Sequence, residues 1–279
     1  MTALKILEQW TAAPGPAVFL AACRELRSVL LPVDCAVCGT PDESLCPRCL
    51  AAVRQSTLRP FNASEGAALL PPRVAGGSLE AGEPLPVTAA GRYAGGLART
   101  VLACKNHGHT DLAGILAEAM ARALHSAAAS VLSGTSVPGE LAVVPVPGSF
   151  SGRARRGYDP LQLILSKVHR RGLFPAGTRR KSVLKYRPGA AAAGLLPSGR
   201  GGQKSLGARA RRRNVHGSMT AGPPGALRGL TVLVADDVLT TGATLAEAVR
   251  ALRAAGAQVA GAAVIAAVRA PAGTAQVLP

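Results

Sequence analysis

Residues Thr231–Leu252 read "TVLVADDVLTTGATLAEAVRAL", and the fold turns on how the two ends of this stretch join. Its first five residues are apolar or β-branched, the composition of a buried strand. Leu245, Val249 and Leu252 recur at helical spacing, with Gly256 just past the predicted helix end. Between strand and helix lie Asp236, Asp237, Val238 and Leu239, then Thr240, Thr241, Gly242, Ala243 and Thr244. A strand that opens directly into a helix aims the backbone N–H groups of its turn at the positive end of the helix dipole, where an anion is favoured. Gly242 lets the backbone come close to such an anion, and three threonine hydroxyls add donors. The acids repel phosphate, yet they stand one turn from the cradle and can accept hydrogen bonds from vicinal hydroxyls. A phosphorylated sugar satisfies both halves. An ordinary strand-to-helix turn needs one capping acid, and neither a second acid nor three threonines.

The rest of the chain follows the same alternation. "LAVVPVP" (141–147) reads as a short buried strand closed by prolines. Asp159-Pro160 opens a helix that Gly172 ends, with cap and proline in the favoured order. "QVAGAAVIAAV" (258–268) is a further strand. Thr110 or Asp111 caps a helix with Leu112, Ile115, Leu116, Ala119, Met120 and Ala123 on one face. The apolar run "LARTVLAC" (97–104) is read as the first strand of this domain, broken by Lys105-Asn106-His107-Gly108-His109. Strands alternating with helices imply an α/β fold on a parallel sheet, with ligands at the carboxyl ends of the strands. Residues 60–85, rich in Gly, Pro, Ala and Glu without periodicity, are expected to be a linker between an N-terminal region (1–59) and this domain (86–270).

The 32 basic and 15 acidic residues leave a net charge of +17, concentrated in one window. From Pro160 to Ala235 there are fifteen Lys and Arg and no acid. Such a field draws an anionic partner, either nucleic acid or a polyphosphate substrate. Arg209, Arg211, Arg212 and Arg213 are the nucleic-acid candidates, within a flexible basic insert at about 179–213. Pro14-Gly15-Pro16 interrupts the N-terminus as a targeting signal, and the low-polarity run Val259–Val268 is too short to span a bilayer. The expectation is a cytoplasmic protein without membrane insertion.

Four of the six cysteines form one cluster, Cys35-Ala-Val-Cys38 and Cys46-Pro-Arg-Cys49. Two CxxC turns facing each other offer the tetrahedral thiolate set that zinc prefers, and Gly39 and Pro47 suit those turns. Four sulfurs leave no open position, so the expected zinc is structural. A helix over Ala17–Leu31 leads into the cluster. Cys104 reads as a small core residue, and none of the five histidines ranks as a site residue.

The acid pair with Thr-Thr-Gly-x-Thr resembles the phosphoribosyl pyrophosphate (PRPP) motif of type I phosphoribosyltransferases. With CxxC…CxxC ahead of it, the chain resembles the competence protein ComF family, the ComFC-like group. Tyr93-Ala-Gly-Gly-Leu97 through Lys105-Asn-His-Gly108 is similar to that family's Tyr/Gly and Lys-x-x-Gly segment. Val144-Pro-Val-Pro147 with Arg156-Gly-Tyr158 is similar to its Val-Pro-Val-Pro…Arg-Gly-Phe/Tyr segment. Gln203-Lys-Ser-Leu206 with Arg213-Asn-Val215 is similar to its Gln-x-x-Leu…Arg-x-x-Asn-Val segment. The chain departs from the pattern in the Gly/Ala-rich stretch 189–202, which lengthens the gap before Gln203, and in Met219, where an aromatic is common.

The resemblance implies transfer of ribose 5-phosphate from PRPP, with Mg²⁺ on the pyrophosphate and ribose oxygens, to an acceptor the sequence does not identify. It implies that Asp236 and Asp237 hold the ribose hydroxyls, directly or through Mg²⁺, and that Val238 to Thr244 carry the 5-phosphate loop. Lys105, Asn106 and Gly108 form the expected pyrophosphate turn. Arg156, with some of Lys185, Arg187, Arg209 and Arg213, is expected to close over the diphosphate. The alternative is a non-catalytic factor of DNA uptake that binds single-stranded DNA or uptake proteins and uses PRPP as a ligand or regulator.

Overall fold

The computed structural model describes residues 33–75, 78–106, 108–134, 141–148, 156–187 and 215–268. Its centre is a six-stranded sheet in the order β1-β4-β10-β9-β5-β6, formed by β1 (Phe61–Asn62), β4 (Val87–Arg92), β10 (Gln258–Ala267), β9 (Thr231–Leu239), β5 (Leu141–Pro145) and β6 (Thr178–Arg180). All neighbours pair in parallel except the short edge strand β1. The carboxyl ends of five strands therefore share one rim. Two small antiparallel ribbons stand apart, β2 (Pro72–Ala75) with β3 (Ser78–Pro84), and β7 (Lys185–Tyr186) with β8 (Met219–Thr220).

The order of connections places the site. From β5 the chain passes through helix α4 (Pro160–Arg170) outward to β6, whereas from β9 it passes through α5 (Ala243–Ala254) the opposite way to β10. Strands β5 and β9 are neighbours, so the loops leaving them separate over a crevice, the switch point where open α/β sheets bind ligands. Right-handed crossovers then put α4 and α5 on opposite faces.

Helix α3 (Ala113–Gly134) follows a 3₁₀ turn at Thr110–Leu112 and covers β4 and β10 beside α4. The six apolar positions expected on its inner face are all buried. Leu116, Met120 and Leu124 meet Ile164, Leu165 and Val168 of α4 in the core. Asp159 caps α4 by accepting from Gln162 N–H at 3.3 Å, and Gly172 leaves it with φ +65°. Leu245, Val249 and Leu252 of α5 are fully buried, as their spacing predicts.

Two expectations are corrected. Residues 97–104 are not a strand but lie within helix α2 (Gly95–Asn106), where Leu97, Val101 and Cys104 turn inward. An apolar run of eight residues is ambiguous between strand and helix, and here Thr100 hydrogen-bonds back to Gly96 O at 2.8 Å in a helical turn. Segment 60–85, expected as a linker, carries three strands. Phe61 pairs with Ala89, and Ala63, Ala67 and Leu85 are buried in the main core. Its apolar residues are spaced by tertiary packing rather than by any period, which is why no element was visible there. The expected helix over 17–31 lies outside the described residues.

Candidate functional site

Strand β9 does not stop at Ala235 but runs through both acids to Leu239. Consecutive strand residues face opposite sides, so the two carboxylates have different surroundings. Asp237 accepts from Lys105 Nζ at 2.6 Å. Asp236, 9% exposed, folds back so that its Oδ1 accepts the Asp237 N–H at 2.8 Å. Burial, reinforced by the adjacent Asp237 charge and opposed by Lys105, pushes the Asp236 carboxyl up to about 7. Burial acts against the Lys105 ammonium, but the Asp237 carboxylate outweighs it and holds the amine above its ordinary value.

Lys105 lies in the last turn of α2, so its charge also complements the negative end of that helix. Asn106 ends the helix and Gly108 turns the chain with φ +77°. His107 lies outside the described residues, and the His109 N–H donates to Ala103 O of α2 at 3.4 Å. Two tyrosines that the sequence reading left without a role belong here. Tyr158 donates from its hydroxyl to Cys104 O at 2.6 Å, pinning the end of α2 next to Lys105. Tyr93 lies within the fields of Lys105 and Asp237, and burial raises its phenol. Both stand in the segments that carry the resemblance, which was the available signal.

Arg156 begins the return of the loop that follows β5. Its Nε is buried and has no hydrogen-bond partner. A buried guanidinium nitrogen left unpaired is costly. The loop is anchored by Val146 N–H to Ala235 O at 2.9 Å and by Asp159, which accepts from Gly148 N–H at 3.0 Å. A Cβ at Gly148 would stand 2.4 Å from Asp159 Oδ2, so the anchor requires glycine.

The turn Thr240–Gly242 joins β9 to α5. Gly242 takes φ +84°, a left-handed conformation that residues with a Cβ avoid. Thr240 is exposed, and Thr241 and Thr244 are half-buried. Thr241 Oγ1 approaches the Ala243 N–H at 3.4 Å. From outside, a strap at residues 67–72 holds the turn: Leu69 N–H donates to Thr241 O at 3.0 Å, and a Cβ on Gly242 would come within 3.0 Å of Leu70 Cδ2. No local pattern marks this strap, because its partners lie some 170 residues away.

Behind α5, Glu247 is 1% exposed as a side chain and binds Arg250 Nε at 2.7 Å. It also accepts the Met219 N–H at 2.8 Å, while Arg250 Nη2 donates to Met219 O at 3.0 Å. Burial would raise the Glu247 carboxyl, but these donors and the Gly217 N–H hold it below its ordinary value. The pair ties ribbon β7–β8, with Lys185 and Arg187 at one foot, to the helix that begins at the Thr240–Gly242 turn. Arg209 and Arg211–Arg213 lie outside the described residues.

The four cysteines converge. Their sulfurs all lie within 4.8 Å of one another, with Cys35, Cys46 and Cys49 buried and Cys38 exposed. Zn–S bonds of about 2.3 Å set tetrahedral sulfurs about 3.8 Å apart, and Cys38 and Cys46 stand at 3.6 Å. Gly39 turns the first CxxC with φ +76°, and Pro47 occupies the first turn of α1 (Pro47–Ser56), which Cys46 caps. The Thr40 hydroxyl, 3.0 Å from Cys38 Sγ, helps to lower that thiol to about 6, toward the thiolate a metal needs. The donor set fits a structural zinc.

This module sits against the site's supporting helix. Val37 and Val53 pack on Gly96 of α2, and Arg99 donates to Val37 O. Arg54 of α1 forms two 3.1 Å hydrogen bonds to Glu118 of α3.

The chain is thus a parallel α/β sheet with an acid pair, a basic helix end and a glycine–threonine turn at its switch point. Residues 206–277 match the family model described as phosphoribosyl transferase domain. That match covers roughly a quarter of the chain and includes β9, the acid pair, the Thr240–Gly242 turn, α5 and β10. No curated protein shows significant similarity to the chain.

Proposed function

We propose that the protein binds PRPP and transfers its ribose 5-phosphate to a nucleophilic acceptor. One observation carries this reading: Lys105 Nζ pairs with Asp237 at 2.6 Å near the carboxyl end of β9, the strand that leads directly into the Thr240–Thr244 turn. The N–H groups of residues 242–244 and the threonine hydroxyls take the 5-phosphate. Asp236 and Asp237 take the ribose hydroxyls. Lys105 and Arg156 face the diphosphate, and their charge stabilises it as the bond from anomeric carbon to oxygen breaks and the acceptor bonds to that carbon. The two carboxylates are hard oxygen donors suited to Mg²⁺, which when bound with PRPP supplies further neutralisation of the leaving pyrophosphate. Tyr158 and the zinc module hold α2, and with it Lys105, in place.

The four-cysteine module joined to this domain supports grouping the chain with ComF-like proteins. The net charge of +17 favours, as a second reading, a polyanion partner such as single-stranded DNA. The decisive experiment incubates the protein with PRPP, Mg²⁺ and a panel of bases, and measures pyrophosphate release and PRPP affinity, with Asp236→Asn/Asp237→Asn as control. Turnover or binding that disappears in the control supports the proposal; equal PRPP binding by both proteins, or none by either, sinks it. Tight PRPP binding without turnover on any base, together with a salt-sensitive DNA shift lost on neutralising Arg209 and Arg211–Arg213, selects the second reading.

A further inference from the structure

A second cleft, of about 530 Å³, runs along the face of α5 that turns away from the sheet. That volume lies within the range of small-molecule sites. One wall is the strap, with Leu70 and Pro71. The other is formed by Ala246, Val249 and Arg253 of α5.

Its charges are unequal. Glu247 and Arg250 neutralise one another at 2.7 and 2.8 Å. Arg253 has no carboxylate partner among the described residues. It spends one N–H on Pro72 O at 2.9 Å, and burial lowers its pKa. A guanidinium carries five N–H donors, so the remaining ones are left for an anion. Leu70, Pro71 and Ala246 give the cleft an apolar strip, and His216, Glu247, Arg250 and Arg253 line the rest of it with polar groups.

The same strap grips the phosphate turn, through Leu69 N–H on Thr241 O and Leu70 on Gly242. We propose that this cleft binds a small organic anion, with its acidic head on Arg253 and its apolar or planar body between Leu70, Pro71 and Ala246. Its occupancy shifts the strap and thereby changes the affinity of the turn for its own ligand. The second half of the proposal rests on the reading of Thr240–Thr244 as a phosphate loop, and the first half does not.

Adenosine 5′-monophosphate serves as the probe, having an anionic head and a planar body, with inorganic phosphate as the head alone. Calorimetry on the full zinc-loaded chain is expected to show nucleotide binding that survives Asp236→Asn/Asp237→Asn and falls at least tenfold in both Arg253→Met and Ala246→Leu. Arg253→Met removes the cation and Ala246→Leu fills the cleft while leaving Arg253 on Pro72, and unchanged circular dichroism melts separate either from misfolding. PRPP affinity, measured with and without saturating nucleotide, is expected to differ at least threefold. The site is overturned by absence of binding to the unmodified chain, by binding indifferent to both cleft variants, or by binding lost with the acid pair, which would put the nucleotide in the PRPP crevice. An unchanged PRPP affinity overturns the coupling. Failure of the phosphate-loop reading appears differently, as nucleotide bound in the cleft with no PRPP binding at all.

Discussion

Asp236→Asn should make the protein more stable at alkaline pH while weakening PRPP binding. In the fold Asp236 keeps its proton up to about pH 7, whereas in the unfolded chain an aspartate releases it near pH ~4. Because the folded value is the higher, the stability this group contributes is complete below ~4 and is withdrawn as pH rises through about 7. Binding curves with those two values give a loss of about 3 kcal/mol between about pH 5 and about pH 8.5. Asparagine keeps the shape and the Oδ1 that accepts the Asp237 N–H, and it never ionises. Urea denaturation of both proteins at the two pH values, in buffer without Mg²⁺ or PRPP, isolates the effect as a double difference in which titrating groups remote from Asp236 cancel. The variant is expected to gain about 3 kcal/mol on the parent over that interval. In the parent, PRPP affinity measured with Mg²⁺ is expected to rise over the same interval, because the ligand requires the carboxylate. Stability profiles that run parallel within ~0.5 kcal/mol would refute the reasoning, since a buried acid beside a second acid cannot ionise without a cost.

Three further outcomes follow from named contacts. Gly242→Ala places a Cβ 3.0 Å from Leu70 Cδ2 at φ +84° and is expected to cost about 1–3 kcal/mol with a fall in PRPP affinity, read by urea titration and calorimetry; adding Leu70→Ala relieves the clash but not the backbone strain. Glu247→Ala leaves Arg250 and the Met219 N–H without their buried partner, and a loss of about 3–5 kcal/mol is expected by urea denaturation. Cys38→Ser should reduce zinc content from one ion per chain, measured by a chromophoric chelator after unfolding, and should expose the region 35–49 to limited proteolysis, because the four sulfurs act as one tetrahedral set.

Residues whose chemistry is local were legible without coordinates. Asp159-Pro160, Gly172 and Gly256 mark helix ends by backbone geometry alone, and the cysteine spacing defines two tight turns. The strand–acid–threonine–helix order of 231–252 placed a turn with free N–H groups at a helix start, since dipole and free N–H groups follow from connectivity. The parallel sheet followed from alternation of strand and helix.

Only the tertiary structure decided what depends on contacts between distant segments. Residues 97–104 are apolar in either conformation, and their packing as helix α2 is what brings Lys105 to Asp237 across 132 residues of sequence. The strap at 67–72 has no period to read, because the contacts that place it are made with Thr241 and Gly242, far along the chain. Burial separates two acids that are neighbours in the chain, giving Asp237 a cation and Asp236 a retained proton. Spacing along a chain prescribes dipoles, caps and turns; desolvation and charge pairing arise only when remote elements exclude water from the same place.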